Sequence, residues 1–427
     1  MSIQTSNAIC FFEDPETERF NPLLLTRPMD DLRAGILTIR EKWLLELGTV
    51  AFLRLIRPEL ANLFESEARV APPQYWINSR LLPDPVTVRQ IRELPEGGSI
   101  VMEGTLLVLR VASGKNEITE SLRPEGQIVL EGNGTPLLKS RHQGLLEMAD
   151  EPLRQDPDGD IRIVNHLWDL IRLNGLEIER DMERLSLRGS MGDSLRGVHL
   201  AGEHLLYASP EAVVEPGVAI ITDEGPVYIG PGARIMAGST LRGPVAVCEG
   251  STVKMGARMY GNTTIGPVCK VAGEVQDTIF HSYSNKAHDG FVGSSLIGQW
   301  CNLGAGTSTS NLKNNYQTVR LVDWSSGEEF DTGVQFLGTV MGDHSKTGIH
   351  TMLSTGTLCG VCCNIFGSGF APRLIPSFSW VDSGTITAYR IDKALETMQK
   401  VMERRNVELD EPVTAFMRSL FAQGSGG

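Results

Sequence analysis

The sequence lacks three features that would each point to a particular class of protein. Its net charge of −13 leaves no excess of basic residues, which a sequence-independent nucleic-acid binder needs. No apolar run is long enough to span a bilayer. The first residues show no cationic start followed by an apolar core, so no signal peptide is expected. We therefore expect a cytoplasmic protein that binds neither nucleic acid nor membrane, although local basic pockets for small phosphates remain compatible with this charge.

Cysteine is also sparse, with seven residues among 427. An odd number in a chain of this kind favours reduced, buried thiols over disulfides. The cluster Cys359-x-x-Cys362-Cys363 has no second cysteine pair to complete a metal site. The sequence therefore predicts neither a disulfide framework nor a structural zinc.

Aliphatic residues recur at every sixth position through the C-terminal half. The run continues for eight repeats without a slip at Ile229, Ile235, Leu241, Val247, Val253, Met259, Ile265 and Val271. A small or β-branched residue follows each of them by four positions, from Ala233 to Val275. The pattern resumes at Phe291 and again at Met341.

A period of six is neither helical nor the two-residue alternation of an ordinary strand. It is the period of a three-sided solenoid, in which each hexapeptide supplies one short strand and one corner. The large aliphatic side chain fills the interior, and glycine or asparagine allows a left-handed backbone at the corner. Stacked coils satisfy one another's backbone groups. The sequence thus predicts a parallel β-helix, whose left hand is inferred from resemblance to other hexapeptide-repeat proteins.

Two segments, Gln276 to Gly290 and Leu312 to Gly338, interrupt the hexapeptide pattern. Insertions into a solenoid gather on one face, which is often the binding face. We therefore expect these two interruptions to carry a functional site.

The N-terminal third alternates strand-like and helix-like segments, which predicts an α/β domain. Expected strands are Ala8–Phe12, Tyr75–Asn78, Ile100–Met102 and Leu106–Val111, and expected helices are Leu37–Leu47 and Thr87–Leu94. The predicted organisation is an α/β domain over 1–160, a helical connector over 161–190, a β-helix over 191–383 and C-terminal helices over 384–427.

Three stretches of the C-terminal half carry a resemblance to a known family. They are Ser284 to Gly293, Leu303 to Thr307 with its Gly-Ala-Gly-Thr corner, and Ser310 to Asn314. They resemble the acetyltransferase domain of the bifunctional N-acetylglucosamine-1-phosphate uridylyltransferase and glucosamine-1-phosphate N-acetyltransferase family. The similarity is strongest to a divergent bacterial branch and to archaeal sugar-phosphate nucleotidylyltransferases with β-helix tails.

The resemblance implies acetyl transfer from acetyl-CoA to an amino-sugar phosphate. His288 falls where the family has its general base, and a neutral imidazole suits removal of a proton from an attacking amine. Backbone N–H groups at a glycine-rich corner could stabilise the developing oxyanion. The expected substrate contacts are Lys286, Asn311 and Lys313, and the expected acetyl-CoA contacts are Gly304, Ala305 and Gly306.

The opening of the chain resembles the same divergent branch, over Asn21 to Pro28 and Asp31 to Trp43. That resemblance implies nucleotidyl transfer from a nucleoside triphosphate to a sugar 1-phosphate, with Mg²⁺. The glycine-rich Gly-x-Gly-Thr-Arg loop of the standard enzymes is absent, and Asn78 falls where the family has its metal-binding aspartate. The expected contacts with nucleotide and sugar phosphate are Arg27, Arg33, Lys42 and Asn78.

Two other functions fit part of the sequence. A zinc hydratase of the γ-carbonic-anhydrase type is suggested by His281, His288, His344 and His350, although their spacing differs from the expected pair. A sugar-nucleotide-binding scaffold without turnover would explain the missing glycine-rich loop. The family resemblance also implies a homotrimer, in which grooves between solenoids would give acetyl-CoA a cleft.

Overall fold

The computed structural model describes residues 8–64, 73–111, 135–149, 153–157, 161–189 and 195–424. The chain divides into two compact units. The first unit comprises residues 1–18, 27–32 and 37–165. The second unit comprises residues 19–26, 33–36 and 166–427.

A six-stranded mixed sheet forms the centre of the first unit, with the strand order β2-β1-β3-β5-β4-β6. Its strands are β1 (Ala8–Phe12), β2 (Phe52–Leu55), β3 (Pro73–Asn78), β4 (Ser99–Met102), β5 (Thr105–Arg110) and β6 (Arg154–Gln155). Strand β1 runs parallel to β2 and β3, whereas β5 runs antiparallel to β3 and β4. Strand β2 is absent from the sequence prediction.

In the described part of this unit, four α-helices accompany the sheet, namely α1 (Ile39–Leu47), α2 (Pro58–Phe64), α3 (Pro85–Glu93) and α4 (Thr135–Met148). Helix α1 begins where the hydroxyl of Thr38 accepts from the backbone N–H of Glu41, whose carboxylate accepts in return from the N–H of Thr38. The carboxylate of Asp84 caps α3 by accepting from the backbone N–H groups of Val86 and Thr87. The predicted α/β class is confirmed, and α2 and α4 are additions that the sequence pattern did not reveal.

The strand order reverses at β1, which has β2 on one side and β3 on the other. In parallel sheets, ligands bind outside the carboxyl ends of the strands at such a reversal. Here that position lies just beyond Phe12 and at Asn78, and we call it the carboxyl edge.

The second unit contains a left-handed parallel β-helix with three faces, which confirms the predicted fold. The first face holds His199–Gly202, Ala219–Thr222, Thr240–Arg242, Arg258–Met259, Glu274–Gln276 and Phe291–Gly293. The second face holds Leu206–Ala208, Val227–Ile229, Val245–Val247, Thr263–Ile265, Ile279–Ser282, Leu296–Gln299, Thr339–Met341, Thr357–Cys359 and Leu374–Ile375. The third face holds Val213–Val214, Arg234–Ile235, Thr252–Val253, Lys270–Val271, Asn285–Lys286, Asn302–Leu303, Lys346–Thr347, Asn364–Phe366, Ser379–Asp382 and Thr385–Ala388.

The hexapeptide positions form the interior of this β-helix, as predicted. All eight aliphatic residues from Ile229 to Val271 are at most 1% exposed. Inward residues pair in register from coil to coil, as Val253 does with Val271. Each coil therefore adds one layer of aliphatic side chains to a continuous core.

The predicted interruption from Gln276 to Gly290 is wrong. This stretch is a regular part of the coil, because Ile279–Ser282 is a strand of the second face and Asn285–Lys286 is a strand of the third. The expected site is therefore built on the solenoid wall rather than on an inserted loop.

Two features hid this coil from the sequence pattern. Val275 follows Val271 by four positions instead of six, and both of these side chains are fully buried in the core. The frame of six therefore slips by two. Val275 pairs with Val292, which is fully buried, whereas Phe291 is half-exposed. The position that pairs with Val271 is occupied by Lys286 instead of an aliphatic residue.

The second predicted interruption, from Leu312 to Gly338, does depart from the regular coil. After the short strand Ser308–Thr309, which pairs with Met352–Leu353, the chain forms an antiparallel hairpin of Arg320–Val322 and Glu329–Asp331. It rejoins the second face at Thr339–Met341.

Three helices belong to the second unit: α5 (Leu167–Arg184), α6 (Ile391–Glu403) and α7 (Glu411–Gly424). Helix α5 is fixed to a corner of the β-helix by Asn262, whose amide donates to the carbonyl of Ile171 at 2.7 Å. Helices α6 and α7 bury their apolar residues against Val361, Cys362 and Phe378. The terminal helices are confirmed, although they follow a strand at Thr385–Ala388 that the prediction read as helix. No helix among the described residues is long and apolar enough to cross a membrane.

Candidate functional site

His288 lies in the corner between the strands Asn285–Lys286 and Phe291–Gly293. Its side chain is exposed, so a substrate can reach the imidazole. The corner closes at Gly290, whose φ of +124° is a conformation that side chains other than glycine rarely adopt. The position is accessible and is set by the backbone of the coil, which suits a residue that must meet a substrate.

Lys286 points into the β-helix and is fully buried. Its ammonium donates to the carbonyl of His288 and, at 2.7 Å, to the carbonyl of Asp289. Burial lowers the pKa of this lysine to about 8. The lysine that the sequence suggested for substrate therefore contacts the backbone of the His288 corner.

The glycine-rich corner of the next coil lies directly beside His288. The N–H of Gly306 donates to the carbonyl of Asp289 at 2.9 Å. The N–H of Gly304 is also engaged within the coil, at Thr347. A Cβ on Gly306 would overlap the ring of His350. The N–H groups of Gly304 and Gly306 are therefore engaged within the coil, and the ring of His350 fills the space that a Cβ on Gly306 would take.

His350, which the sequence analysis considered only for the zinc-hydratase alternative, lies against Gly306 at this site. The backbone N–H of His350 donates to the carbonyl of Ala305 at 2.7 Å, and its side chain is exposed. The corners that hold His288, Gly306 and His350 belong to three successive coils. His350 and Gly306 become neighbours only through the register of successive coils, which the sequence pattern did not reveal.

Asn311 and Lys313 lie away from His288 within one chain. The amide of Asn311 donates to the hydroxyl of Ser294 at 3.1 Å, at the far end of the strand Phe291–Gly293. The ammonium of Lys313 donates to the carbonyl of Thr318 at 2.8 Å in the inserted loop. His288 and Asn311 therefore lie at opposite ends of one side of the β-helix.

A cleft of about 460 Å³ opens beside the His288 corner. Its floor is the third face of the β-helix, and the end of α6 forms its wall. We call it the basic cleft, and it is lined by Lys270, Tyr283, Asn285, Ala287, Trp300, Asn302, Lys346, Val401, Arg404 and Arg405. The sequence analysis assigned none of these residues, because cations spread over a hundred positions come together only through the coil register.

The carboxyl edge of the first unit is filled by its own charged side chains. Asp14 forms an ion pair with Arg80 at 2.6 Å and accepts from the amide of Asn78 at 2.7 Å. Glu13 forms a second pair with Arg57 at 3.0 Å. All five side chains are at most 5% exposed.

These ion pairs bear on the expected Mg²⁺. Magnesium needs carboxylates that are not already neutralised and retains several waters, whereas Glu13 and Asp14 are buried against guanidinium groups. No cluster of three His, Cys, Asp or Glu residues occurs in the described part of the chain. The side chains at the carboxyl edge therefore do not fit a magnesium site.

The three basic residues predicted to bind nucleotide are all buried. Arg27 is 2% exposed and lies 3.6 Å from Asp31. Lys42 is fully buried on α1. Arg33 belongs to the second unit, where its guanidinium donates to the carbonyl of Ile36. These side chains do not line an open surface.

The segment Arg33–Ile36 connects α5 to the β-helix. The N–H of Gly35 donates to Asn174 at 2.7 Å, and the N–H of Ile36 donates to Asp181 at 2.8 Å. The carbonyl of Gly35 accepts from the hydroxyl of Thr264 at 3.1 Å. This part of the N-terminal motif therefore fixes the fold of the second unit.

Comparison with known proteins finds similarity to the same family that the motifs resemble. Residues 9–189 match the family model of sugar nucleotidyl transferases. The chain is 33% identical to the bifunctional protein GlmU of Methanocaldococcus jannaschii over 33% of this chain and 31% of that protein. It is 26% identical to GlmU of Methanococcus aeolicus over 49% and 50% of the two chains.

A third relative is the bifunctional sugar-1-phosphate nucleotidylyltransferase/acetyltransferase of Sulfurisphaera tokodaii, 29% identical over 23% of this chain and 24% of that protein. The chain thus spans a quarter to a half of the length of these curated relatives. The predicted resemblance is confirmed, with cyanobacterial as well as archaeal relatives.

Proposed function

We propose that the second unit transfers an acetyl group from acetyl-CoA to the amino group of an amino-sugar phosphate. The observation that carries the proposal is the exposed imidazole of His288, on a corner held by Lys286 beside the basic cleft. The Sulfurisphaera relative is named as an acetyltransferase as well as a nucleotidylyltransferase, which supports the same assignment.

In the proposed reaction, the sugar amine attacks the thioester carbonyl of acetyl-CoA. A C–N bond forms, the C–S bond breaks, and coenzyme A leaves as its thiolate. His288 removes the proton from the attacking nitrogen, which a neutral imidazole can do near pH 7. Gly304, Ala305 and Gly306 are the proposed contacts with acetyl-CoA, because the family resemblance places them there and all three are partly exposed.

The first test is direct detection of product. We expect the purified chain, supplied with acetyl-CoA and a panel of amino-sugar 1-phosphates, to yield an N-acetylated sugar phosphate by mass spectrometry. Glucosamine without phosphate serves as the matched control and is expected to react poorly. Absence of product with every amino sugar of the panel would remove the proposal.

Nucleotidyl transfer by the first unit is a second candidate, favoured by the family match over residues 9–189. Arg27, Lys42 and Asn78 would be its residues there, whereas Arg33, which the family resemblance also implied, belongs to the second unit. We rank it below acetyl transfer because guanidinium groups already occupy the carboxyl edge.

Release of pyrophosphate from a nucleoside triphosphate, Mg²⁺ and a sugar 1-phosphate would establish this second activity. Tight binding of a sugar nucleotide without pyrophosphate release would instead support the scaffold function. The zinc hydratase gains no support from the described residues, among which the four histidines form no three-ligand cluster.

A further inference from the structure

The carboxylate of Asp14, just beyond β1, is surrounded by donors from its own chain. It accepts from Nε and Nη2 of Arg80 at 3.0 and 2.6 Å, and from the amide of Asn78 at 2.7 Å. It also accepts from the backbone N–H of Glu16 at 3.1 Å and from the hydroxyl of Thr17 at 3.4 Å. A carboxylate offers about four lone-pair positions, and these donors fill them. The oxygens of Asp14 are thus already used within the described part of the chain.

The guanidinium of Arg80 is held as firmly as the carboxylate it faces. Its third nitrogen, Nη1, donates to the amide oxygen of Asn165 at 2.7 Å and to the carbonyl of Val164 at 3.2 Å. The side chain is 2% exposed. Because Arg80 follows β3 and Asp14 follows β1, their ion pair places a fixed positive charge where the strand order reverses.

The amide of Asn78 completes this network and is turned the wrong way for a metal. Its nitrogen donates to Asp14 and, at 3.1 Å, to the carbonyl of Leu106. Its oxygen accepts from the backbone N–H of Arg80 at 3.0 Å. An amide nitrogen is a donor and offers no lone pair to a cation. Asn78 and Asp14 therefore bind each other instead of holding an ion between them.

The second carboxylate beyond β1 is used in the same way. Glu13 accepts from the backbone N–H of Met29 at 2.9 Å, and from the backbone N–H and Nε of Arg57 at 3.1 and 3.0 Å. Arg57 also donates to the carbonyl of Arg27 at 2.8 Å. A divalent ion at this edge would have to displace a guanidinium and leave it buried without its carboxylate, which is strongly unfavourable.

We propose that Arg80 is the resident cation of the carboxyl edge, and that the first unit takes up no divalent metal there. The Mg²⁺ that the family resemblance implies is replaced by a guanidinium that belongs to the chain. The missing glycine-rich loop points in the same direction, because it removes a second part of the standard nucleotidyl-transfer site. The first unit is then a domain that keeps the fold of its relatives without metal-assisted nucleotidyl transfer at this edge.

Two substitutions should convert the edge into a metal site. In the double variant Asn78→Asp/Arg80→Gln, two carboxylates face each other without a guanidinium between them, which suits one divalent ion that keeps several waters. We expect saturating Mn²⁺ to raise the melting temperature of this variant by about 5 °C in calorimetry. The wild type should melt at the same temperature in Mn²⁺ and in EDTA.

The matched control adds Asp14→Asn to the double variant and should abolish the Mn²⁺ effect. Circular dichroism checks the fold of each variant. A folded double variant that does not respond to Mn²⁺ would overturn the role of Arg80, since removal of the guanidinium would then not open the site.

A second measurement needs no variant to fold. In crystals of the wild type soaked with Mn²⁺ and a nucleoside triphosphate, anomalous scattering locates bound manganese. We expect no manganese within coordination distance of Asp14 or Glu13. A manganese ion coordinated by either carboxylate would overturn the proposal.

Activity assays separate this inference from the proposed function. Absence of acetyl transfer by the wild type would remove the proposed function and leave the inference standing, because the Mn²⁺ measurements depend on no activity. Mg²⁺-dependent release of pyrophosphate that disappears in Asp14→Asn would overturn the inference and establish nucleotidyl transfer by the first unit.

Discussion

At the scale of single residues, Lys286 is the most unusual side chain of the β-helix. It occupies an inward position that pairs with Val271, yet it carries an ammonium group. Burying a charge is costly unless hydrogen bonds compensate it. Here the carbonyls of His288 and Asp289 provide them, so the lysine and the corner stabilise each other.

Replacing this lysine tests whether it positions His288. In Lys286→Met, the core keeps a side chain of similar length, but the corner loses its two hydrogen bonds. We expect kcat for acetyl transfer to fall by about 10- to 100-fold, as small displacements of a catalytic group do, with little change in the KM for the sugar phosphate. An unchanged kcat would show that the corner keeps its shape without the lysine.

The same variant gives a pH-dependent prediction. The pKa of Lys286 is lowered from 10.5 to about 8 in the folded chain. Between these values the unfolded chain binds a proton that the folded chain does not, so the free energy of unfolding rises with pH. Relative to Lys286→Met, the wild type should therefore become more stable from about pH 8 to pH 10, as measured by thermal denaturation. A difference that stays constant over this range would contradict the buried ammonium.

The sequence analysis assigned His288 from a local motif, and its catalytic role stays a prediction. Lys286 was expected at a ligand because a sugar phosphate needs cations, and Arg27 and Lys42 mostly because of the family resemblance. All three side chains are buried. Burial of a charge depends on partners that lie far away in sequence, which no local pattern records.

At the scale of elements, the segment Arg33–Ile36 links α5 to the β-helix through one glycine. Gly35 has φ of +79°, and a Cβ there would come within 2.6 Å of the backbone of Glu177. Both the conformation and the contact exclude a side chain.

We predict that Gly35→Ala destabilises the second unit by about 3 kcal/mol or more, because backbone strain and a clash with a helix add. The matched control is Gly217→Ala, where φ is +84° and nothing lies within 4 Å of the added Cβ. That substitution should lower the free energy of unfolding by only about 1–2 kcal/mol, because it adds the strain of the left-handed conformation and no clash. Thermal melting compares the two, and equal shifts would refute the close packing of Gly35.

The β-helix itself was predictable as an element, because its period of six belongs to no other regular structure. The coil that holds the site was not, since a two-residue slip after Val271 and the inward Lys286 both broke the pattern. The strands and helices of the first unit were predicted in part. The sequence analysis missed β2 and α2 because these elements are too short to show a clear periodicity.

At the scale of the whole molecule, one chain does not bring His288 and Asn311 together. They lie at opposite ends of one side of the β-helix, so a pocket that contains both needs a second copy of the chain. A second copy agrees with the homotrimer that the family resemblance implies, so we predict a mass in solution of three times 46.7 kDa by light scattering. A monomer at the concentrations used for the assay would contradict this arrangement.

The catalytic role of His288 is the central claim, and one kinetic comparison tests it most directly. The rate of acetyl transfer to the best amino-sugar phosphate should fall to background in His288→Ala, while the melting temperature stays that of the wild type because the side chain is exposed. Imidazole added to the variant should restore part of the rate, since it supplies the missing base. A variant that folds normally and transfers acetyl groups as fast as the wild type would contradict the account.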